Sequence, residues 1–287
     1  MEKQVIIVTG KNGQLGSELK DIAVSFPQLD FHFFDRAEFD ICSSESIKAI
    51  FEKYKPAFFI NTAAYTAVDK AETEQKQAFL INAEAVGNIA TACKTHTTKL
   101  IHISTDYVFK GNASKPYKEN DDTDPVNYYG YTKRVGEQRA LQNNSETIVM
   151  RTAWVYSAYG NNFVKTMLRL MNERNDINVV NDQFGSPTYA KDIAVAIMQI
   201  IVQSRDSFKN GIYHFSNDGI ISWYEFAKAI KEIKKLQCSV HAIPASAYPT
   251  PAKRPHYSGL DKTKITATFQ LQLKPWQDSL QACLSLL

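Results

Sequence analysis

The sequence predicts a doubly wound parallel α/β sheet, and two observations carry that prediction. "QVIIVTG", near the start, is a short β-branched apolar run ending in glycine, and "FHFFD", "AFFINTAA" and "KLIHIST" repeat its character farther along. Unbroken apolar runs are what strands covered on both faces require. Between them lie stretches of helical periodicity, the first opening directly from the glycine-rich turn in "GKNGQLGSELKDIA". Strands that alternate with helices in this way build a parallel sheet with helices on both sides.

The bulk properties agree and exclude other classes. A chain of 287 residues can bury a large core and suits one large domain, or a major and a minor one. Hydrophobic residues make up 44% and charged residues 22%, both ordinary for a globular protein. The net charge of +3 comes from 33 basic and 30 acidic residues scattered along the chain, without the basic stripe that a nucleic-acid surface needs. Cys42, Cys93, Cys238 and Cys283 lie far apart, with no spacing suited to zinc. They read as reduced packing residues. No apolar run has the length of a signal-peptide core or a membrane span. The expectation is a cytoplasmic protein with no membrane or nucleic-acid partner and no catalytic metal.

Taken in order, the first strand leads into Gly10, Gly13 and Gly16, spaced G-x-x-G-x-x-G. Glycines there permit a tight turn, close backbone approach to a pyrophosphate and close helix–strand packing, with the helix N-terminus facing the anion. Lys11 is not part of an ATP-binding loop, because the G-K-[ST] ending is missing. The second strand ends at Asp35, ~20 residues on, where a dinucleotide fold places the carboxylate for the adenosine ribose. Asp35 favours NAD, whereas Arg36 could pair with the 2′-phosphate of NADP. "KQAFLINAEAVGNIATACK" reads as one helix. Ligands of such sheets bind at the carboxyl ends of the strands, here "NTAAYTAVDKAE" and "STDYVF".

"NYYGYTK" then places three tyrosines near one lysine. Residues four apart share a helix face, so only Tyr129 stands one turn before Lys133. An adjacent ammonium lowers a phenol's pKa, which would make Tyr129 a tuned acid; the same spacing also fits an ordinary amphipathic helix start in which the tyrosine packs and the lysine is solvated. Past the strand-like "TIVM", Trp154, the helix "NNFVKTMLRLMNERN" and the strand-like "INVVNDQFGSPT" leave the sheet for a smaller lobe. The chain returns through the helix "AKDIAVAIMQIIVQ". The expected organisation is a Rossmann-like dinucleotide domain over 1–155 with a return segment at 188–207. A discontinuous α/β substrate lobe takes 156–187 and 208–287. "PAKRPHYSGLD" offers Lys253 and Arg254 for a diphosphate, and the planar fork of Arg254 suits phosphate oxygens better. The six histidines form no metal spacing, and His102, in a strand, reads as a packed or hydrogen-bonded core residue.

Glycine turn, acidic strand end, hydroxyl strand end and Tyr129/Lys133 together resemble the extended short-chain dehydrogenase/reductase superfamily, whose members act on nucleotide sugars. Within it, "GKNGQLG", "AAYTAVDKAE", "STDYVF", "NNFVKTMLRL", "NDQFGSPT" and "KRPHYSGLD" are similar to the dTDP-4-dehydrorhamnose reductase family, over Gly10 to Asp261. The resemblance implies hydride transfer from NADPH or NADH to the 4-keto carbon of dTDP-4-dehydro-L-rhamnose. It makes Tyr129 the proton donor, gives Lys133 the phenol and the nicotinamide ribose, and sets Thr105 on the reacting oxygen. Cofactor contacts implied are Gly10, Gly13, Gln14, Leu15 and Gly16, then Asp35, Arg36, Asp40 and Ile41, then Ala63, Ala64, Tyr65 and Thr66. Substrate contacts implied are Val68, Thr105, Asp106, Tyr107, Trp154, Asn162 and Arg254. A homodimer is a further expectation; the glutamate pair that holds magnesium between some relatives is broken here, since Lys191 accompanies Glu18. Two other readings remain: a reductase or epimerase for a different nucleotide sugar, and a non-catalytic nucleotide-binding regulatory subunit.

Overall fold

The computed structural model describes residues 3–204 and 207–287. Its centre is a six-stranded sheet of β1 (Gln4–Thr9), β2 (Leu29–Phe34), β3 (Phe58–Asn61), β4 (Lys99–Thr105), β5 (Thr147–Thr152) and β10 (Gly211–His214), ordered β10-β5-β4-β3-β1-β2. Every pairing in it is parallel. Successive side chains on a strand point to opposite faces, so an all-apolar strand feeds two cores. Ile6 and Val8 of β1 join one core and Ile7 the other; Phe58 and Ile60 of β3 flank Phe59 in the same way.

One face is covered by α1 (Gln14–Ala23), α8 (Ala190–Gln203) and α10 (Thr263–Phe269), the other by α2 (Ser44–Tyr54) and α5 (Ala85–Thr95). Short α3 (Val68–Ala71) and α4 (Gln75–Phe79) precede α5, and α6 (Tyr128–Asn143) packs beside it. A second core gathers α7 (Phe163–Glu173), α9 (Trp223–Lys234) and α11 (Trp276–Leu284) against β7 (Asp176–Val180) and β12 (Ser239–Ile243), which pair in parallel. Four two-residue strands complete the lobe: β6 (Val155–Tyr156) pairs with β9 (Thr188–Tyr189), and β8 (Phe184–Gly185) with β11 (Ile221–Ser222).

Two details depart from the sequence expectations. The segment 208–287 does not lie wholly in the second lobe, because Gly211–His214 is the sixth strand of the main sheet and α10 packs on its core. The physical reason is the open edge of β5, whose backbone groups β10 satisfies. The long helix predicted after Lys76 is interrupted by a π-helical turn, Leu80–Glu84, between α4 and α5. That turn aims Asn82, which is buried, at the loop after β3: its Oδ1 accepts from the Tyr65 amide at 2.8 Å and its Nδ2 donates to the Tyr65 carbonyl at 3.0 Å.

Candidate active site

The carboxyl ends of the strands open into two adjoining cavities, of about 380 and 590 Å³, that share Thr62, Ala64 and Thr66 in their walls. The larger runs over the glycine turn. Gly10, Gly13, Asp35, Arg36, Asp40, Ile41, Ala63 and Tyr65 line it. A Cβ at Gly16 would strike the Gly10 carbonyl oxygen, so glycine is what lets α1 start against the turn. No side chain caps α1, whose first amides face this cavity's end of the sheet. A dinucleotide pyrophosphate fits such a turn.

The ribose end is more heavily paired than the sequence suggests. Asp35 accepts from the Ala37 and Glu38 amides through Oδ1, and from Asn12 at 3.2 Å through Oδ2. Lys11 bridges Asp35 at 3.3 Å and Glu38 at 2.5 Å. Asp40 caps its own turn, accepting from the Cys42 amide at 3.0 Å.

The smaller cavity gathers Gln14, Leu15, Val68, Thr105, Asp106, Tyr107, Tyr129, Lys133 and Trp154. Tyr129 is brought there by the start of α6, where Asn127 accepts from the Gly130 amide at 2.8 Å as N-cap and donates to the Lys253 carbonyl at 2.8 Å. Gly130 lets the helix press onto the end of β4; a Cβ there would collide with the Tyr107 carbonyl. Thr105 donates to Asp106 Oδ1 at 2.9 Å and accepts from the Tyr107 amide. The Tyr107 ring meets Tyr129 edge-on, with centroids 5.8 Å apart.

The expected lowering of the Tyr129 pKa is not what the geometry produces. Burial pushes the phenol up to about 12, with the neighbouring Thr105 hydroxyl pulling the other way. The Lys133 Nζ is occupied elsewhere, donating to the Ile103 carbonyl at 2.7 Å and lying 3.4 Å from His102 Nε2. Burial brings Lys133 down to about 8. Four-residue spacing places both groups in one cavity but does not dictate where the amine points. Asp106 is also buried and raised to about 6 by burial, and its Oδ2 has no hydrogen-bond partner among the described residues.

Two expected substrate residues stand outside the cavity walls. Asn162 caps α7, accepting from the Lys165 amide at 3.1 Å, and donates to Gln14 Oε1 at 3.0 Å, so it supports a wall residue. Arg254 is held by Asp69, next to Val68. Sequence reasoning missed Trp223, a half-buried wall residue stacked on Trp154 with centroids 3.5 Å apart and planes 6° from parallel. Trp154 itself has a left-handed backbone, φ 48°. Nothing local in "SWYEF" signals this, because the partner is distant in sequence. Among the described residues, no group of three or more His, Cys, Asp or Glu is arranged to hold a metal. No helix among them is long and apolar enough to cross a membrane.

A parallel dinucleotide fold whose strand ends collect a threonine, a tyrosine and its helical lysine beside an aromatic-walled cleft defines an oxidoreductase of the extended short-chain type. The chain belongs to the dTDP-4-dehydrorhamnose reductase family: the family model described as RmlD substrate binding domain matches residues 4–287. The dTDP-4-dehydrorhamnose reductase of Aggregatibacter actinomycetemcomitans is 41% identical over 284 residues, covering 96% of this chain and 97% of that one. A crystal structure of dTDP-4-dehydrorhamnose reductase from Bacillus anthracis, in complex with NADP, superposes with a TM-score of 0.94 at 38% identity, covering 99% of both chains. The Thermus thermophilus UDP-glucose 4-epimerase shares the fold at 17% identity, with a TM-score of 0.80 and 98% of both chains covered.

Proposed function

We propose that this protein reduces the 4-keto group of dTDP-4-dehydro-L-rhamnose to give dTDP-L-rhamnose, using NADPH or NADH. The observation that carries the reading is the convergence of Thr105, Tyr129 and Lys133 in a cavity continuous with the dinucleotide cleft. Near-full-length identity to relatives named for this activity supports it.

The reduced nicotinamide, when bound, supplies the hydride. What the chain contributes is the proton and its placement. As the carbonyl is reduced its oxygen becomes an alkoxide, a stronger base than phenolate, so Tyr129 donates even from a pKa near 12. A phenol that stays protonated at neutral pH is also always ready to donate. Thr105, held beside the phenol, steadies the oxygen as charge develops by turning its one proton from Asp106 to that oxygen. The walls at Val68, Tyr107, Trp154 and Trp223 exclude water around the sugar. In this reading the sheet layer, with β10 and α10 added to it, holds the cofactor. The lobe of α7, α9 and α11 holds the sugar nucleotide.

The test is the absorbance of NADPH, and separately of NADH, during incubation with enzymatically prepared dTDP-4-dehydro-L-rhamnose, for the wild type and Tyr129→Phe. Net oxidation that drops ~10²–10⁴-fold in the variant supports the assignment. Cofactor binding without oxidation would overturn it, and sugar conversion without net oxidation would point to an epimerase.

A further inference from the structure

Thr9, Asn61 and His102 are cross-strand partners in a single row of the main sheet, Thr9 opposite Asn61 and Asn61 opposite His102. All three are buried. Thr9 Oγ1 lies 2.8 Å from Asn61 Oδ1, Asn61 Nδ2 lies 3.2 Å from His102 Nδ1, and His102 Nε2 lies 3.4 Å from Lys133 Nζ. The row therefore begins at the residue before the glycine turn and ends at the lysine of the active site. Three adjoining polar side chains buried between the Ile, Val and Phe of β1, β3 and β4 need a reason, since burying each costs free energy unless its bonds are made.

The hydrogen-bond inventory supplies the reason. A neutral imidazole has one donor and one acceptor nitrogen, and an ammonium has only donors. With Asn61 Nδ2 donating to Nδ1, the imidazole proton sits on Nε2 and faces Lys133, which satisfies a neutral amine. With the Asn61 amide turned over, Nδ1–H donates to Oδ1, Nδ2 donates to the Thr9 hydroxyl, and Nε2 accepts from a charged ammonium. Each pattern gives every contact along the row one donor and one acceptor, one pattern for each charge state of Lys133. Burial keeps His102 itself neutral.

We propose that His102, backed by Asn61 and Thr9, is a positioning residue for Lys133: it holds the amine at the Ile103 carbonyl and satisfies it in both charge states. The proposal rests on the reading of Tyr129 and Lys133 as the acid and its partner. The ionisable groups around Lys133 are Tyr129 and Glu137 on α6, His102 on β4, Asp106 beyond β4, and Arg151 of β5, which is paired with Glu137. β1 and β3 contribute only the non-ionising Thr9 and Asn61.

The experiment is kcat, and the KM for NADPH, across pH 6–10 for the wild type, His102→Phe, His102→Gln and Asn61→Leu, with thermal melts to establish folding. His102→Phe removes a polar partner from a buried amine, so the alkaline limb of kcat moves to lower pH and kcat at pH 8 falls roughly tenfold or more. Asn61→Leu moves the limb in the same direction by less, and His102→Gln, which can both donate and accept near Nε2, restores kcat to within about fivefold. Folded Phe and Leu variants with the wild-type limb and kcat would overturn the proposal, as would a Gln variant no better than Phe. If His102→Phe does not fold, the Leu and Gln variants decide by the same criteria. If the wild type does not turn over at all, the substrate assignment fails instead. NADPH affinity against pH in the same variants then tests the His102 proposal, with an unshifted profile overturning it.

Discussion

Arg254 and Asp69 meet fork to fork, Nη1 to Oδ1 at 2.6 Å and Nη2 to Oδ2 at 2.7 Å, tying the proline-bounded loop after Thr250 to α3 at the rim of the cleft. The guanidinium holds the Asp69 carboxyl below its usual range. Paired this way, Arg254 presents a fork that suits a planar or tetrahedral oxyanion, and a diphosphate reaching the cleft would compete with Asp69 for it. Arg254→Lys keeps the charge and loses the two-pronged geometry. The expected result is a KM for the sugar nucleotide raised about tenfold with kcat within about threefold. An unchanged KM would place the diphosphate elsewhere.

Cofactor choice is expected to turn on Lys11. Its ammonium is shared by Asp35 and Glu38, two carboxylates that repel a 2′-phosphate while holding the cation that would attract it. Glu38→Gln releases the lysine and removes one repulsive charge. The ratio of kcat/KM for NADPH to that for NADH is expected to rise roughly three- to tenfold. Steady-state kinetics with both cofactors reads it directly, and a ratio that stays constant or falls counts against this role for Lys11.

Asp106 couples activity to stability. Burial raises its carboxyl to about 6, above the ordinary 3.8, so the folded state binds the proton more tightly than the unfolded chain does. For an acid shifted upward, the stabilising contribution is present below about pH 4 and is lost as pH rises through about 6. Asp106→Asn keeps the acceptor for Thr105 without the charge. Its melting temperature should exceed the wild type's at pH 7, by roughly 2–4 °C per kcal/mol relieved, and match it near pH 4. Activity should fall in the same variant. A melting curve lowered at pH 7 would show that the charge is stabilised by something this geometry does not include.

Beneath the site, Arg151 of β5 and Glu137 of α6 form a buried pair, Nη2 to Oε2 at 2.7 Å and Nε to Oε1 at 2.9 Å, each 3% exposed. Breaking such a pair leaves one charge stranded in the interior. Arg151→Met should cost about 3–5 kcal/mol in urea unfolding, and the double change with Glu137→Leu should recover most of that. Equal losses in the single and double variants would mean that packing, not the stranded carboxylate, sets the cost.

The first five strands and the glycine turn were legible because each of those strands announces itself within a few residues and position along the chain orders them. Helical spacing singled out Tyr129 with Lys133 among the tyrosines, and only the family resemblance gave the pair its role. What spacing could not reveal was direction: the Lys133 amine bonds the Ile103 carbonyl, a contact set by where α6 lies on β4. The π-helical turn at Asn82 was hidden because an apolar period of helical type reads the same through one extra residue. Trp223 and the Asp69–Arg254 pair depend on contacts between distant segments, which no local pattern encodes. "GIYHFSNDG" is too short to declare which sheet it joins, and the free edge of β5 decides.

That last contact has a consequence for biosynthesis. Chains leave the ribosome N-terminus first and begin to fold as they emerge. β1 to β5 are all made before the small lobe, yet β5 gains its outer neighbour only when Gly211–His214 appears, and α10, which covers that corner, appears later still. The nascent protein therefore carries a complete cofactor turn and an unfinished, adhesive margin through the whole synthesis of α7 and α8. Protection of that margin by a chaperone, or a fast passage of translation through this interval, is what the order of segments along the chain asks of the cell.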